Sequence, residues 1–213
     1  MKDLVIVGNG GLAKEVAFLV EEVNRAAPVW RLRGFVASQS ELVGKQHLDY
    51  PILGTDEWLE QQQEDLAVVV AIGKPAVLRT IHERMRRNRH LLFPNLIHPQ
   101  VVGDWRRIQL GEGNIILNAA SMTTAIRMQS LNVINPGCTV AHDCMLGSYN
   151  LISPGANLSG NVTLGDRVLV GTGAQVLQGL RIGDDVVIGA GAVVTKDLPE
   201  PGVYMGAPAR RRE

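Results

Sequence analysis

Residues 151–194 read LISPGANLSGNVTLGDRVLVGTGAQVLQGLRIGDDVVIGAGAVV. Every sixth residue in this stretch is aliphatic, from Ile152 to Val194. The same phase extends backwards without interruption, and its apolar positions are Leu110, Ile116, Met122, Met128, Ile134, Val140, Leu146, Ile152, Leu158, Leu164, Val170, Val176, Ile182, Ile188 and Val194. A period of six over so long a stretch predicts a parallel β-helix built from hexapeptide repeats.

The period also predicts how the chain is wound. Six residues form one short, flat strand and a corner, so three repeats complete a triangular coil and residues eighteen apart stack. Glycine and asparagine are expected at the corners, because the turns need backbone angles that most residues adopt reluctantly. Residues 104–107 break the phase and are expected to form a loop or an irregular start of the first coil. The tail from Pro199 to Glu213 loses the repeat and is expected to pack over the end.

The part of the chain before the repeat alternates between strand and helix patterns. Strands are predicted at residues 4–7, 32–36, 66–72 and 91–97, and helices over residues 12–23, from Thr55, and from Pro75 to about Arg89. This alternation predicts a parallel sheet with right-handed crossovers, which makes a small Rossmann-like α/β domain. We therefore expect two domains, residues 1–97 and residues 98–213.

Composition and charge exclude several classes of function. The chain has 213 residues, of which 46% are hydrophobic and 20% are charged, as in a globular protein. Lys and Arg number 21, as do Asp and Glu, so the basic excess of a nucleic-acid binder is absent. No apolar run approaches the ~20 residues of a membrane span, and the N-terminus lacks a signal-peptide pattern. We expect a cytoplasmic protein without a membrane partner.

A glycine turn follows the first predicted strand. Gly8, Gly10 and Ala13 have the spacing of a dinucleotide-binding turn, in which the backbone approaches a phosphate at a helix N-terminus. An NAD site would require an acid at the end of the second strand, where this chain has Ala37 and Ser38. The turn therefore binds a phosphate of another nucleotide, or it serves only the packing of strand against helix.

Within the repeat, His142 is the only histidine, and Asp143 follows it directly. A carboxylate that orients an imidazole makes it a stronger base, provided that a corner brings the two neighbouring side chains together. The alternative is a polar surface pair at a corner. Cys138 and Cys144 are expected to be reduced thiols in the core. One histidine cannot form a three-histidine zinc site, and a third of a coil separates the cysteines, so no metal is expected.

Three segments carry a resemblance to a known family. They are residues 132–144 continued by 152–156, residues 188–197, and residues 206–209. On these motifs the chain resembles the bacterial sugar O- and N-acetyltransferases of the sialic-acid and bacillosamine biosynthesis type. The resemblance spans nearly the whole chain and implies an α/β nucleotide-binding domain followed by a left-handed β-helix.

The resemblance also implies a mechanism and a set of site residues. It implies a homotrimer with acetyl-CoA bound in clefts between neighbouring β-helices. The histidine that matches His142 is the general base, the acid that matches Asp143 raises its basicity, and Asn135 lies in the same site. The positions implied to line the acetyl-CoA cleft are Gly160, Thr172 and Ala190. Those implied to hold the nucleotide are Gly8, Asn9, Gly10, Gly11, Gly73 and Lys74.

Three departures from the family pattern affect specificity. Leu12 stands where the glycine turn often has a histidine, and Ala37 and Ser38 stand where paired acids often contact the base or ribose. These leave the nucleotide open between UDP, dTDP and GDP. Leu151 replaces a second histidine that can contact acetyl-CoA, which makes that pocket more apolar.

The function predicted is N-acetylation, by acetyl-CoA, of a nucleotide-linked 4-amino-4,6-dideoxy sugar, in surface-polysaccharide or glycan biosynthesis. Transfer is expected to be direct, with His142 as general base. One alternative is O-acetylation of a sugar such as sialic acid. Removal of His142 should reduce activity more severely in O-transfer than in N-transfer. Another is a non-catalytic scaffold that binds a sugar nucleotide.

Overall fold

The apolar run near the N-terminus forms the central strand of a mainly parallel sheet. The structure, a computed structural model, describes residues 1–212 and divides into the units Met1–Pro99 and Gln100–Glu213. The boundary predicted after residue 97 stays a prediction, and Glu213 of the predicted tail lies outside the described residues. The elements of the first unit are β1 (Lys2–Val7), α1 (Gly11–Ala26), β2 (Trp30–Val36), a 3₁₀ turn (Ser40–Leu42), β3 (Gln46–His47), β4 (Tyr50–Gly54), α2 (Asp56–Glu60), β5 (Leu66–Val70), α3 (Pro75–Met85), β6 (Leu91–Leu92) and β7 (Leu96–Ile97).

The order of strands in this sheet creates a crevice. The order is β3-β4-β2-β1-β5-β6, and every pairing is parallel except that of β3 with β4. Chain connections run to one side of β1 through β2 and β4, and then to the other side through β5. Such a switch point leaves a crevice at the carboxyl ends of the two central strands, where ligands bind in open α/β sheets. The predicted Rossmann-like unit is confirmed.

Local details of the first unit depart from the sequence prediction. The strand predicted over residues 91–97 is interrupted between β6 and β7, around Pro94, which has no N–H to donate to a sheet. Helix α3 begins at Pro75 as predicted but ends at Met85. Thr55 is the N-cap residue of α2, yet its hydroxyl donates to the Glu57 carboxylate and makes no cap to the backbone.

The second unit is the predicted left-handed parallel β-helix. Its short strands, most of them two residues long, stack in three faces, and partners in the repeat are eighteen residues apart, as in Met122 with Val140 and Val140 with Leu158. The first face contains Ile115–Ile116, Val133–Ile134, Leu151–Ile152, Leu169–Val170, Val186–Ile188, Gly202–Met205 and Arg210–Arg211; the second contains Val102–Gly103, Ser121–Met122, Thr139–Val140, Asn157–Leu158, Gln175–Val176 and Val193–Val194; the third contains Gln109–Leu110, Arg127–Met128, Met145–Leu146, Thr163–Leu164 and Arg181–Ile182.

The hexapeptide period produces the core. From Ile115–Ile116 to Val193–Val194, the last residue of each strand points inward, so that Met122, Val140, Leu158, Val176 and Val194 form one buried ladder. Burying an aliphatic side chain of this size contributes about 1.5–3 kcal/mol, so each ladder is a main source of stability. The N–H and C=O groups of such a short strand point towards the neighbouring coils, so stacking of the coils completes their hydrogen bonds.

Each corner contains one residue in the left-handed conformation, and these residues recur at every sixth position. They are Gly113, Ala119, Ala125, Leu131, Gly137, Asp143, Tyr149, Gly155, Asn161, Arg167, Gly173, Gly179, Asp185 and Gly191. The prediction of glycine and asparagine was therefore too narrow. This conformation costs about 1–2 kcal/mol for a residue with a Cβ. Hydrogen bonds between coils offset the cost, as when the Tyr149 N–H donates to the Ser130 carbonyl at 3.0 Å.

The two ends of the β-helix differ from the repeat. Residues 105–107 form the predicted loop, closed by a hydrogen bond from the Arg107 N–H to the Asp104 carbonyl at 2.8 Å. At the other end, Gly202–Met205 adds a parallel strand beside Val186–Ile188, and Arg210–Arg211 pairs with it antiparallel. Over residues 1–212, no helix has the length and hydrophobicity needed to cross a membrane.

Candidate active site

A corner of the β-helix brings His142 and Asp143 together. The corner follows the strand Thr139–Val140, and Asp143 adopts the left-handed conformation with φ of 60°. This turn allows adjacent side chains to meet, and His142 Nδ1 lies 2.9 Å from Asp143 Oδ2. About half of each side chain is exposed, 52% for His142 and 62% for Asp143. The predicted pairing required a corner that brings these two neighbouring side chains together, and the structure has one.

The pair defines which ring nitrogen is available for chemistry. When Nδ1–H donates to the carboxylate, the lone pair of the neutral imidazole is on Nε2. No hydrogen bond joins Nε2 to any residue within 1–212. The arrangement can therefore accept a proton from a bound nucleophile at Nε2 while Asp143 stabilises the resulting imidazolium.

Gly160 makes room for the His142 ring. It lies eighteen residues after His142, one coil further along, and a Cβ added to it would lie 2.5 Å from Cε1 and 2.6 Å from Nε2 of the ring. Both distances are far below van der Waals contact. Only glycine at this position allows the observed ring orientation. The sequence placed Gly160 in the acetyl-CoA cleft but gave no sign that it contacts the base.

The remaining predicted residues of the β-helix site lie at a different corner. Asn135 precedes the strand Thr139–Val140, whereas His142 follows it, and the two side chains share no hydrogen bond. Asn135 is buried, and its Nδ2 donates to the Ile152 carbonyl at 2.8 Å. Thr172 and Ala190 stack at the Asn135 corner and are exposed. Within one chain, the site residues therefore form two groups separated by one face of the prism.

The crevice of the first unit contains all the predicted nucleotide-binding residues. A cavity of about 520 Å³ opens at the carboxyl ends of β1 and β5, and it is lined by Gly8, Asn9, Gly10, Gly11, Gly73 and Lys74. Gly8 has φ of 115°, and a Cβ there would lie 2.8 Å from the Ala71 carbonyl oxygen. Helix α1 begins at Gly11 without a side-chain cap, so its first N–H groups are available to an anion.

Asp56 is a residue of this crevice that the sequence reasoning missed. It is the first residue of α2 and lines the same cavity as Leu12 and Ser38. Burial raises the pKa of its carboxyl, and Arg84, whose Nη1 lies 3.4 Å away, acts in the opposite direction. The sequence offered one sign: Asp56 follows the carboxyl end of a strand, and such ends meet at one edge of a parallel sheet.

A second cavity lies directly beside the His142–Asp143 pair. It measures about 460 Å³ and is lined by Asp143 together with Arg106, Arg107, Gln109, Ala125, Arg127 and Met145. The sequence treated residues 104–107 only as a break in the repeat. Because the loop and the strand Arg127–Met128 converge only in the folded coil, nothing in the sequence pattern announced this group of arginines.

The two cysteines are buried core residues, as predicted. Both are free thiols, and Cys138 Sγ donates to the Ser153 carbonyl while Cys144 Sγ donates to the Ser159 carbonyl. Burial raises the pKa of the Cys138 thiol to about 11, which leaves almost no nucleophilic thiolate at neutral pH. In the described part of the chain, no three metal-ligating side chains are grouped closely enough to hold a metal ion.

Comparison with known families identifies both halves of the chain. Residues 3–85 match the family described as the PglD N-terminal domain, and residues 161–196 match the bacterial transferase hexapeptide family, described as six repeats. No curated protein sequence matches the chain significantly.

Solved structures match over the full length. PerB from Caulobacter crescentus, in complex with CoA and GDP-perosamine, is 30% identical with a TM-score of 0.88, covering 100% of this chain and 98% of PerB. The acetyltransferase domain of PglB from Neisseria gonorrhoeae, in complex with acetyl coenzyme A, is 30% identical with a TM-score of 0.88 and 99% coverage of both chains. WeeI from Acinetobacter baumannii is 26% identical with a TM-score of 0.85 and 100% coverage of both.

An α/β unit of the PglD N-terminal type, joined to a β-helix of transferase hexapeptide repeats, defines a class of acyltransferases. The chain belongs to the hexapeptide-repeat sugar acetyltransferases with a PglD N-terminal domain, the family of PerB and the acetyltransferase domain of PglB. The resemblance inferred from the sequence motifs is confirmed.

Proposed function

We propose that the protein is an acetyl-CoA-dependent N-acetyltransferase that modifies a nucleotide-linked 4-amino-4,6-dideoxy sugar for surface-polysaccharide or glycan biosynthesis. The observation that carries the proposal is the His142–Asp143 pair, held at 2.9 Å with Nε2 free to take a proton. Its setting supports it, since the PerB structure contains CoA together with GDP-perosamine. Two further structures of that enzyme carry substitutions of one histidine, to asparagine and to alanine.

In the proposed reaction, the sugar amine attacks the carbonyl carbon of the acetyl thioester. A C–N bond forms, the C–S bond breaks, and CoA leaves as a thiolate. The proton lost by the amine passes to His142 Nε2 and is then available to the CoA thiolate. Asp143 accepts the Nδ1–H and stabilises the imidazolium between these two events.

Transfer is direct and needs no acyl-enzyme. Cys138 and Cys144 are buried, and burial raises the pKa of both thiols, so neither serves as a nucleophile. The Gly160 N–H is the candidate donor to the tetrahedral oxyanion. It makes no backbone hydrogen bond to residues 1–212 and belongs to the residue against which the His142 ring lies.

The proposed assembly is a homotrimer with active sites between subunits. Its support is the division of the site residues between two corners of one prism. A neighbouring copy would place its Asn135, Thr172 and Ala190 opposite the His142 and Gly160 of the first. Acetyl-CoA would then occupy the cleft between them.

Mixed trimers test this assembly. His142→Ala and Ala190→Trp each inactivate a different half of the cleft, so each variant alone has low activity. After the two are unfolded and refolded together, some clefts contain two intact halves, and activity returns. A site formed within one chain gives no recovery on mixing.

The crevice around Gly8, Gly10 and Lys74 is proposed to hold the nucleotide, with its phosphate at the N-terminus of α1. Ala37 and Ser38 provide no carboxylate, whereas Asp56 provides one in this cavity. It is proposed to accept hydrogen bonds from the ribose or the base. The identity of the nucleotide's base is therefore determined by assaying sugars linked to UDP, dTDP and GDP.

The protein is proposed to work in the cytoplasm. Its two free thiols fit a reducing compartment.

The function is tested by CoA release from acetyl-CoA with UDP-, dTDP- and GDP-linked 4-amino sugars and with free sialic acid. We expect release with one amino sugar, and its loss in His142→Ala. Release only with a hydroxyl acceptor would indicate O-acetylation. A scaffold would release no CoA and would show no rise in melting temperature with acetyl-CoA, since only a ligand of the folded state stabilises it.

A further inference from the structure

The crevice of the first unit has a basic side and an acidic side. Lys74 and the glycine turn after β1 form the basic side, where the phosphate is proposed to bind. Asp56 supplies a carboxylate after β4. Since β2 lies between β4 and β1, two strand spacings, about 10 Å, separate the carboxyl ends of β4 and β1. The ribose and base of a nucleotide span such a distance.

Arg84 leaves the Asp56 carboxylate with negative charge to spare. The guanidinium also pairs with Glu57 at 2.9 Å and with Glu60, so three carboxylates share one positive charge. Arg84 Nη1 lies 3.4 Å from Asp56 Oδ2, which is a long contact, and no residue within 1–212 donates a hydrogen bond to Oδ1. This side of the crevice repels a phosphate and favours a group that carries N–H donors.

Helix α3 carries apolar side chains from the basic side of the crevice to the acidic side. Lys74 directly precedes this helix. Val77 and Ile81 line the cavity, and both lie on the helix face that continues to Arg84, which contacts Asp56. The flat faces of a base are apolar and pack against such side chains, whereas the polar atoms at its edge need partners. A base that lies along α3 therefore presents its edge to Asp56.

We infer that Asp56 recognises guanine and that the acceptor is a sugar linked to guanosine diphosphate. The inference rests on the proposed function and deepens it. Guanine presents two neighbouring donors, N1–H and the N2 amino group, and the two oxygens of a carboxylate accept from both. Uracil and thymine present a single N3–H between two carbonyl oxygens, which a carboxylate repels. Asp56 therefore selects the base that the family pattern leaves open in this chain.

The test measures binding of free nucleotides by calorimetry, which does not depend on turnover. The wild type is titrated with GDP, UDP, dTDP and inosine diphosphate, whose base lacks the N2 amino group. Asp56→Asn is also titrated with xanthosine diphosphate, whose base has a carbonyl oxygen in place of that amino group. The amide N–H of the new side chain donates to this oxygen, so the substitution should create a specificity as well as remove one.

Asp65→Asn is the matched control. It makes the same chemical change directly before β5, at the opposite edge of the sheet from the crevice. Unchanged melting temperatures show that both variants fold.

We expect the wild type to bind GDP about 100-fold more tightly than UDP or dTDP, because two charge-assisted hydrogen bonds distinguish these bases. The preference over inosine diphosphate should be about tenfold, because only one of the two bonds is lost. Asp56→Asn should bind GDP more weakly than the wild type and xanthosine diphosphate more tightly. Asp65→Asn should match the wild type with every nucleotide.

A wild type that prefers UDP or dTDP, or that binds no nucleotide, overturns the inference. Equal losses of affinity for GDP and UDP in Asp56→Asn, with no gain for xanthosine diphosphate, also overturn it, because they indicate a contact with the ribose. The proposed function fails separately if the wild type shows the GDP preference but releases no CoA from acetyl-CoA with a GDP-linked amino sugar. Recognition of guanine then stands on the binding data alone.

Discussion

Substitution Gly160→Ala should separate the chemistry of the site from the stability of the fold. The added Cβ meets the His142 ring at 2.5 Å from Cε1 and 2.6 Å from Nε2. Ordinary carbon contacts begin at about 3.5 Å, so the ring must move by about 1 Å. The backbone of Gly160 lies outside the left-handed region, so alanine adds no backbone strain. The clash involves the exposed side chain of His142, which is free to turn away.

The size of the effect follows from this displacement. A misplacement of about 1 Å in a reacting group costs roughly 100-fold in rate. Gly160 is buried, but the side chain that its new methyl group displaces is half exposed, so we expect stability to change by only about 0.5 kcal/mol. We therefore expect kcat to fall about 100-fold, while the melting temperature stays close to that of the wild type.

The assay is CoA release, measured for Gly160→Ala in the wild-type background and in the His142→Ala background. Without the ring, the new methyl group has nothing to displace, so the second substitution adds little further loss. Such non-additivity is the signature of two residues that act through contact. The reasoning is refuted if Gly160→Ala keeps full activity, or if it causes the same additional loss in both backgrounds.

Three further predictions concern other groups. Burial lowers the pKa of His82 to about 4, so the unfolded chain binds a proton more readily than the folded one. The free energy of unfolding should therefore fall as the pH drops from about 6.5 towards 4, by at most about 1.4 kcal/mol per pH unit. Urea titrations of His82→Leu should lack this pH-dependent loss of stability, and equal pH slopes in both proteins would contradict the prediction. Asp56→Asn should raise the KM of the nucleotide-linked sugar and leave that of acetyl-CoA unchanged, as steady-state kinetics would show; equal effects on both would remove Asp56 from the nucleotide site. With a pKa of about 11, Cys138 should resist a thiol reagent at neutral pH until denaturant is added, and prompt labelling of the native protein would contradict its burial.

The inward-facing ladders of the repeat could be predicted because their information is local and periodic. Every sixth residue from Leu110 to Val194 had to be apolar for a ladder to form, and that constraint is visible in the sequence. The His142–Asp143 pair could be predicted for a different reason. His142 and Asp143 are polar residues that the scaffold does not need, and they are adjacent in the chain.

Features that depend on contacts between coils could not be predicted. Leu131 and Tyr149 occupy left-handed corners because N–H groups there donate to the preceding coil, which outweighs their own backbone preference. The contact between Gly160 and the His142 ring involves residues of two coils, so it is not apparent from the sequence. Asp56 and Arg127 acquire their sites only when strand ends and loops converge, and the sequence pattern assigned them to a helix start and to an ordinary repeat.

The central claim is that His142 drives transfer of an acetyl group to a sugar amine. Its most direct test is to isolate the sugar product made with acetyl-CoA by the wild type and by His142→Ala, and to treat it with mild alkali. An amide survives this treatment, whereas an ester is hydrolysed. The account predicts an alkali-stable acetyl group in the wild-type product and little product from the variant. An alkali-labile acetyl group, or equal product from both proteins, would contradict it.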